Sequence, residues 1–277
     1  MQKYVKATLL LALAGAAFVA TPAKAQYTQN ADGNMFLGFY QPTTATDLLV
    51  YIGNYADYTT TGGAYTGSQE TLFGTSGLYG TNTTLATELQ TIFGASWATT
   101  VKWGVVGTYD PNGAATVFLS DPLATSSTTH WTSKSATNQG IATGKIEGLD
   151  SQYGGETDGA GGLDSQTAAT ANTYFYFTPS GHQAGSSFNI YSGDFNRTGT
   201  GGLYLDELNA TDAISGGNNT EAALGPDGSS IVLGQFNLST NGTLTYGIPE
   251  PSTYAMMGIG SLLLALAIRR RKAFSAI

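Results

Sequence analysis

The chain has no cysteine. That removes disulfides, thiolate metal sites and cysteine nucleophiles together, so the fold must be stabilised by its core. Histidine is nearly as scarce. His130 and His182 are the only two, too few for a histidine-rich zinc or copper site, and both read as surface or turn residues. Charged residues make up 11% of the chain, and the cations are few and unevenly placed. Between residues 26 and 248 only Lys102, Lys134, Lys145 and Arg197 stand against eighteen acids, which gives that stretch a charge near −14. So acidic a surface repels phosphodiesters, and nucleic-acid binding is excluded.

Catalytic signatures are also missing. The nearest approach to a Gly-x-Ser-x-Gly elbow, Gly94-Ala95-Ser96-Trp97-Ala98, lacks the closing glycine and reads as a helix end. Two glycine-rich runs, at 159–164 and 199–204, miss the dinucleotide pattern at its sixth position and read as loops. Asp206 and Glu207 are adjacent on a predicted strand, so they point to opposite faces and make a poor catalytic pair. Asp150, Glu156, Asp158 and Asp164 read as one acidic, solvated loop whose spacing matches no calcium motif. No catalytic residue, metal ligand or cofactor is assigned from the sequence, and the expectation is a protein that is not an enzyme.

Both ends carry strong signals. Lys3 and Lys6 precede an uncharged, Ala- and Leu-rich run at 7–20, followed by Thr21-Pro22-Ala23-Lys24-Ala25. A basic start, an apolar stretch and a small-x-small end form a secretory signal peptide, 1–25, with Ala23 and Ala25 presented to signal peptidase. At the other end, Pro249-Glu250-Pro251 precedes an uncharged stretch at 252–268 and then Arg269, Arg270, Arg271 and Lys272. Seventeen residues lie at the short limit of a membrane helix, which needs about 20. The basic cluster acts as a stop on the cytoplasmic side, leaving the two prolines extended just outside the bilayer.

This C-terminal order of Pro-Glu-Pro, apolar run and arginine cluster resembles the PEP-CTERM sorting signal of Gram-negative bacteria. The resemblance covers about residues 248–272 and implies recognition by exosortase, a membrane protease-transpeptidase, with removal of the tail at 249–277. Carriers of such signals are typically surface or extracellular-matrix components of species that make exopolysaccharide. Segments of this type also end some ice-binding proteins. None of this bears on the fold that the tail carries.

Between the ends, 26–248 is long enough for one well-buried domain, and the full chain's 37 glycines with 31 aromatic residues are not the composition of a disordered chain. Strands are predicted at 35–40, 48–52, 101–109, 115–119, 173–178, 188–191, 203–205, 231–238 and 243–246 from apolar runs and two-residue alternation. Asp110-Pro111-Asn112-Gly113 supplies a hairpin turn between two of them. Leu85, Leu89, Ile92 and Phe93 recur at helical spacing, capped by polar residues at 82–84 and ended by Gly94. A weaker helix spans 133–149. Trp97, Trp103 and Trp131 are expected in the core, Trp131 being the one that its Ser/Thr-rich surroundings leave nearest the surface. The expected fold is mainly β, a single β-sandwich or jelly-roll-like domain with one or two short helices between a signal peptide and a C-terminal transmembrane sorting helix. The expected role is that of an exported envelope or matrix protein, structural or adhesive, with exopolysaccharide as a partner. A carbohydrate- or ice-surface binding module is the alternative, and a glycan-active enzyme the third reading.

Overall fold

A computed structural model describes residues 33–41, 46–58, 69–110, 116–124, 129–153, 163–167, 194–211 and 228–247. Eleven strands form one sheet: β1 (Asn34–Tyr40), β2 (Thr46–Asn54), β3 (Glu70–Gly74), β4 (Gly80–Thr81), β5 (Lys102–Tyr109), β6 (Thr116–Asp121), β7 (Leu163–Thr167), β8 (Arg197–Thr198), β9 (Gly201–Leu208), β10 (Ser230–Leu238) and β11 (Leu244–Gly247). Their order is β4-β3-β11-β10-β9-β6-β5-β1-β2-β7, with β8 beside β5. Every pairing is antiparallel except the short β3–β4 contact. Among the described residues three α-helices accompany them: α1 (Asn82–Phe93), α2 (Trp97–Thr100) and α3 (Ala136–Tyr153). The molecule is mainly β, as composition and alternation predict. The strands lie in one nearly closed sheet, whereas a sandwich would divide them between two.

The curl of the sheet has identifiable causes. Register shifts at Met35/Phe36, Val232/Gly234 and Leu244/Thr245 interrupt the ladders, and bulges of this kind increase local twist. Helix α1 then spans the opening, packing on β3 and β4 at one end of the strand order and on β2 and β7 at the other. Its buried stripe is Leu85, Leu89 and Phe93. The Thr81 hydroxyl caps its start by accepting from Thr84 N at 3.1 Å. Gly94, at φ 83°, ends it in a conformation that a side chain would resist.

Inside the curl, the chain leaving β2 acts as filler. Asn54 caps a 3₁₀ turn, Tyr55–Asp57, that sends two rings inward. Tyr55 stacks on Phe118 at 5.5 Å and meets Tyr109 at 4.4 Å. Tyr58 lies against Phe236 and edge-on to Tyr246, and its carbonyl accepts from the Tyr246 hydroxyl at 3.1 Å. Trp103, fully buried, adds a bond from its indole N–H to the Gly199 carbonyl at 2.8 Å. The core is one continuous cluster, and it contains Trp97, Trp103 and Trp131.

The other face of β1 and β5 is covered by α3. Tyr153 packs on Phe36 and Tyr51. The Gln139 amide donates to the Leu208 carbonyl at 3.0 Å, and the Asn34 amide to Asp150 at 3.0 Å. These long-range ties hold a helix with three glycines in its length. With both faces covered, all seven residues of β1 are buried.

Candidate functional site

Pro249, Glu250, Pro251, Ala23, Ala25, Arg269, Arg270, Arg271, Lys272 and His182 lie outside the described residues, as do the predicted strands at 173–178 and 188–191. The acidic loop read at 150–164 is not one loop. Asp150 lies in the last turn of α3 and Asp164 belongs to β7, while Glu156 and Asp158 lie outside the described residues. Likewise Gly201 and Gly202 open strand β9 and are not loop residues.

Two features remain as candidates. The first is a cleft of about 570 Å³ between α3 and the sheet. Asn34 and Phe36 from β1, Thr108 and Asp110 at the end of β5, and Glu147, Asp150 and Ser151 from α3 line it. The Asn34–Asp150 bond and a 3.3 Å bond from the Thr143 hydroxyl to Asp110 fix its two walls to each other. Gly144 and Gly148 on α3 and Gly33 before β1 also face it. A methyl group added at Gly144 would meet nothing within 4 Å, so the missing side chain is what leaves the groove open there. At Gly33 (φ 95°) the same methyl would strike the Tyr55 ring at 2.3 Å, so close packing and backbone conformation both require glycine. The volume falls within the usual range for small-ligand pockets, roughly 300–1,000 Å³. The lining offers carboxylate oxygens from Asp110, Glu147 and Asp150 and three amide or hydroxyl groups, on Asn34, Thr108 and Ser151. That chemistry suits a neutral polyhydroxylated ligand.

The second feature is a buried carboxyl pair, Asp121 at the end of β6 and Asp206 in β9, both fully buried. Residues Leu119 and Asp206 are register partners, which sets Asp206 diagonally beside Asp121 on one face. Asp121 is well served: it accepts from the N–H groups of Leu123 (2.8 Å), Ala124 (2.9 Å) and His130 (2.7 Å). Neither oxygen of Asp206 meets a donor among the described residues. Burial, and then the charge of Asp121, push the Asp206 carboxyl up to about 9. It therefore holds its proton at neutral pH, and protonated it donates to Asp121. His130 is exposed beside the pair, with Nδ1 3.6 Å from Asp121 and its ring 4.4 Å from that of Trp131. Trp131 is buried, and its indole donates to the Ser120 carbonyl at 3.0 Å. The pair fastens the segment after β6 to the sheet.

The strand reading of Asp206 and Glu207 holds, since the two diverge to opposite faces. Glu207 is raised by burial, and a bond from the Asn209 amide at 2.9 Å opposes the rise. Sequence alone offers no means of pairing Asp206 with Asp121, because register between β6 and β9 makes the pair. Among the described residues no cluster of three or more His, Cys, Asp or Glu is placed to hold a metal ion.

Comparison of the chain with curated proteins and with solved structures returns no match to either. One family model does match, that of the PEP-CTERM protein-sorting motif, over residues 247–272. The match begins on the last residue of β11 and runs through the Pro-Glu-Pro, the apolar stretch and the arginine cluster. The chain carries a C-terminal PEP-CTERM sorting signal, which implies export to the envelope or cell surface through exosortase.

Proposed function

We propose that the domain at 26–248 is a structural or adhesive component of the cell envelope or extracellular matrix, delivered by its sorting signal and holding polysaccharide without cleaving it. The observation that carries the delivery is the motif at 247–272. The open, oxygen-lined cleft under α3 supports the binding. Glycoside hydrolysis needs a carboxylic acid that stays protonated at the scissile bond. Asp57, Asp206 and Glu207, whose carboxyls burial raises, are not among the residues that line the cleft. An ice-binding face would call for ranks of threonine. Among the described strands threonine stands opposite threonine only at Thr245–Thr71 and Thr46–Thr167, on separate strand pairs.

We infer that the exported chain starts at Gln26, after removal of 1–25, and that the tail is removed at the membrane. N-terminal sequencing of envelope material checks the first point, and a start at Met1 would overturn it. Replacing Pro249, Glu250 and Pro251 with alanine should leave the protein in the inner membrane. Equal release of variant and wild type would contradict the sorting reading. For the ligand, exported protein is mixed with the host's own exopolysaccharide, with calcium or with a chelator, and followed for both retention and new reducing ends. Retention without reducing ends is the expected result. Reducing ends that accumulate with time would make it an enzyme.

A further inference from the structure

The sorting motif is joined to an interior strand with almost no slack. β11 lies between β10 and β3, not at an edge, and Gly247, its last residue, pairs with Gln235. Only Ile248 separates it from Pro249. Two residues of extended chain reach about 7 Å, whereas a domain of this size has a radius of gyration of about 17 Å. The exit is crowded as well. β10 runs on past it through 230–234, and Gln69 lies alongside Gly247. β11 itself is firmly held. Leu244 and Tyr246 are fully buried, and the Tyr246 hydroxyl is bonded inside the sheet to Tyr58.

A protease binds its substrate as an extended segment that includes residues on both sides of the bond it cuts, and strand-like pairing supplies much of the affinity. On the N-terminal side of this motif those residues are β11. The enzyme and the sheet therefore compete for the same backbone groups. We propose that docked β11 restrains tail removal, so that exosortase acts on chains in which this strand is free and completion of the fold closes the substrate. This rests on the sorting reading above. It makes the last strand a timing element: a chain is processed before the sheet is finished, or after β11 has frayed from it.

The test follows conversion of full-length precursor to processed protein by pulse-chase in the exosortase-bearing host. One variant carries a flexible insert of about ten Gly and Ser residues between Ile248 and Pro249, which frees the motif while leaving β11 docked. A second, Gly234→Ala, leaves the sequence of the motif unchanged. A methyl there would stand 2.3 Å from the Tyr246 hydroxyl, so it loosens β11 from the neighbouring strand. Both should be processed at least several-fold faster than wild type. Wild-type rates in the insert variant would overturn the proposal, even should Gly234→Ala fail to fold. Alanine at Pro249, Glu250 and Pro251 should abolish processing in every background. Processing that survives this change condemns the sorting reading itself, a different failure from equal rates.

Discussion

Asp206 is fully buried, and its protonation links pH to stability. Unfolded, the carboxyl titrates near 3.8; folded, it holds its proton to about 9. A carboxyl raised by folding costs stability wherever the unfolded chain has already released its proton. The cost is absent below about pH 4, grows through neutrality, and stops growing once the folded group ionises near 9. Each pH unit in that window is worth at most about 1.4 kcal/mol from this one group. Asp206→Asn keeps a donor toward Asp121 and removes the titration. The variant should therefore gain on wild type as pH rises from 5 to 8, by about 2 kcal/mol or more, measured from urea midpoints at several pH values. Parallel pH profiles would show that the proton is not held there. The alternation of β9 is enough to read that Asp206 and Glu207 diverge. The partner of Asp206 lies 85 positions away in sequence, and only strand register brings it near.

Among the elements, α3 is the one legible only in part: the sequence predicts a weaker helix at 133–149, and the structure has it at Ala136–Tyr153. α1 is legible because Leu85, Leu89 and Phe93 repeat at helical spacing and Gly94 ends the run. α3 carries Gly140, Gly144 and Gly148, which weaken its helical signal; it buries Ala142, Ile146, Leu149 and Tyr153 and is tied to distant partners at Asn34, Asp110 and Leu208. Strands β3, β7 and β8 escape sequence reading for a related reason. Each is short, and Leu163–Thr167 and Arg197–Thr198 have mostly polar or charged residues, so neighbouring strands rather than propensity order them. The glycines of α3 permit a paired test. Methyl groups at Gly140 and Gly144 both enter open space, so each change to alanine should stabilise by about 1 kcal/mol through helix propensity. Of these two, only Gly144 lines the cleft. Gly144→Ala should then weaken polysaccharide retention where Gly140→Ala leaves it unchanged. Equal retention by the two would place the ligand elsewhere. α1 offers a stability test of closure: Leu89→Ala should cost about 2–5 kcal/mol and speed hydrogen exchange in β2 and β3, which the helix joins. Exchange confined to α1 would mean that the sheet holds its curl without the helix.

At the scale of the whole molecule, the stretch at 26–248, with a charge near −14 against −8 for the full chain, sets the terms of association. Retention on a neutral polysaccharide should vary little with salt, because few charges are neutralised on binding. Retention on an anionic one should rise with ionic strength as repulsion is screened over a Debye length of about 10 Å at 0.1 M. Retention on an anionic polymer that falls steeply with salt would point to a basic contact surface that this sequence scarcely has. The position of β11 has a mechanical side as well. Tension applied through the C-terminal tail enters the domain along an interior strand, with antiparallel partners on both flanks. Hydrogen bonds loaded along the strand axis share the force and must break together, whereas an edge hairpin is unzipped one bond at a time. A domain tethered by its end in flowing water is thus gripped at the place where its sheet resists tearing best, and forced unfolding should begin at strands other than the one being pulled.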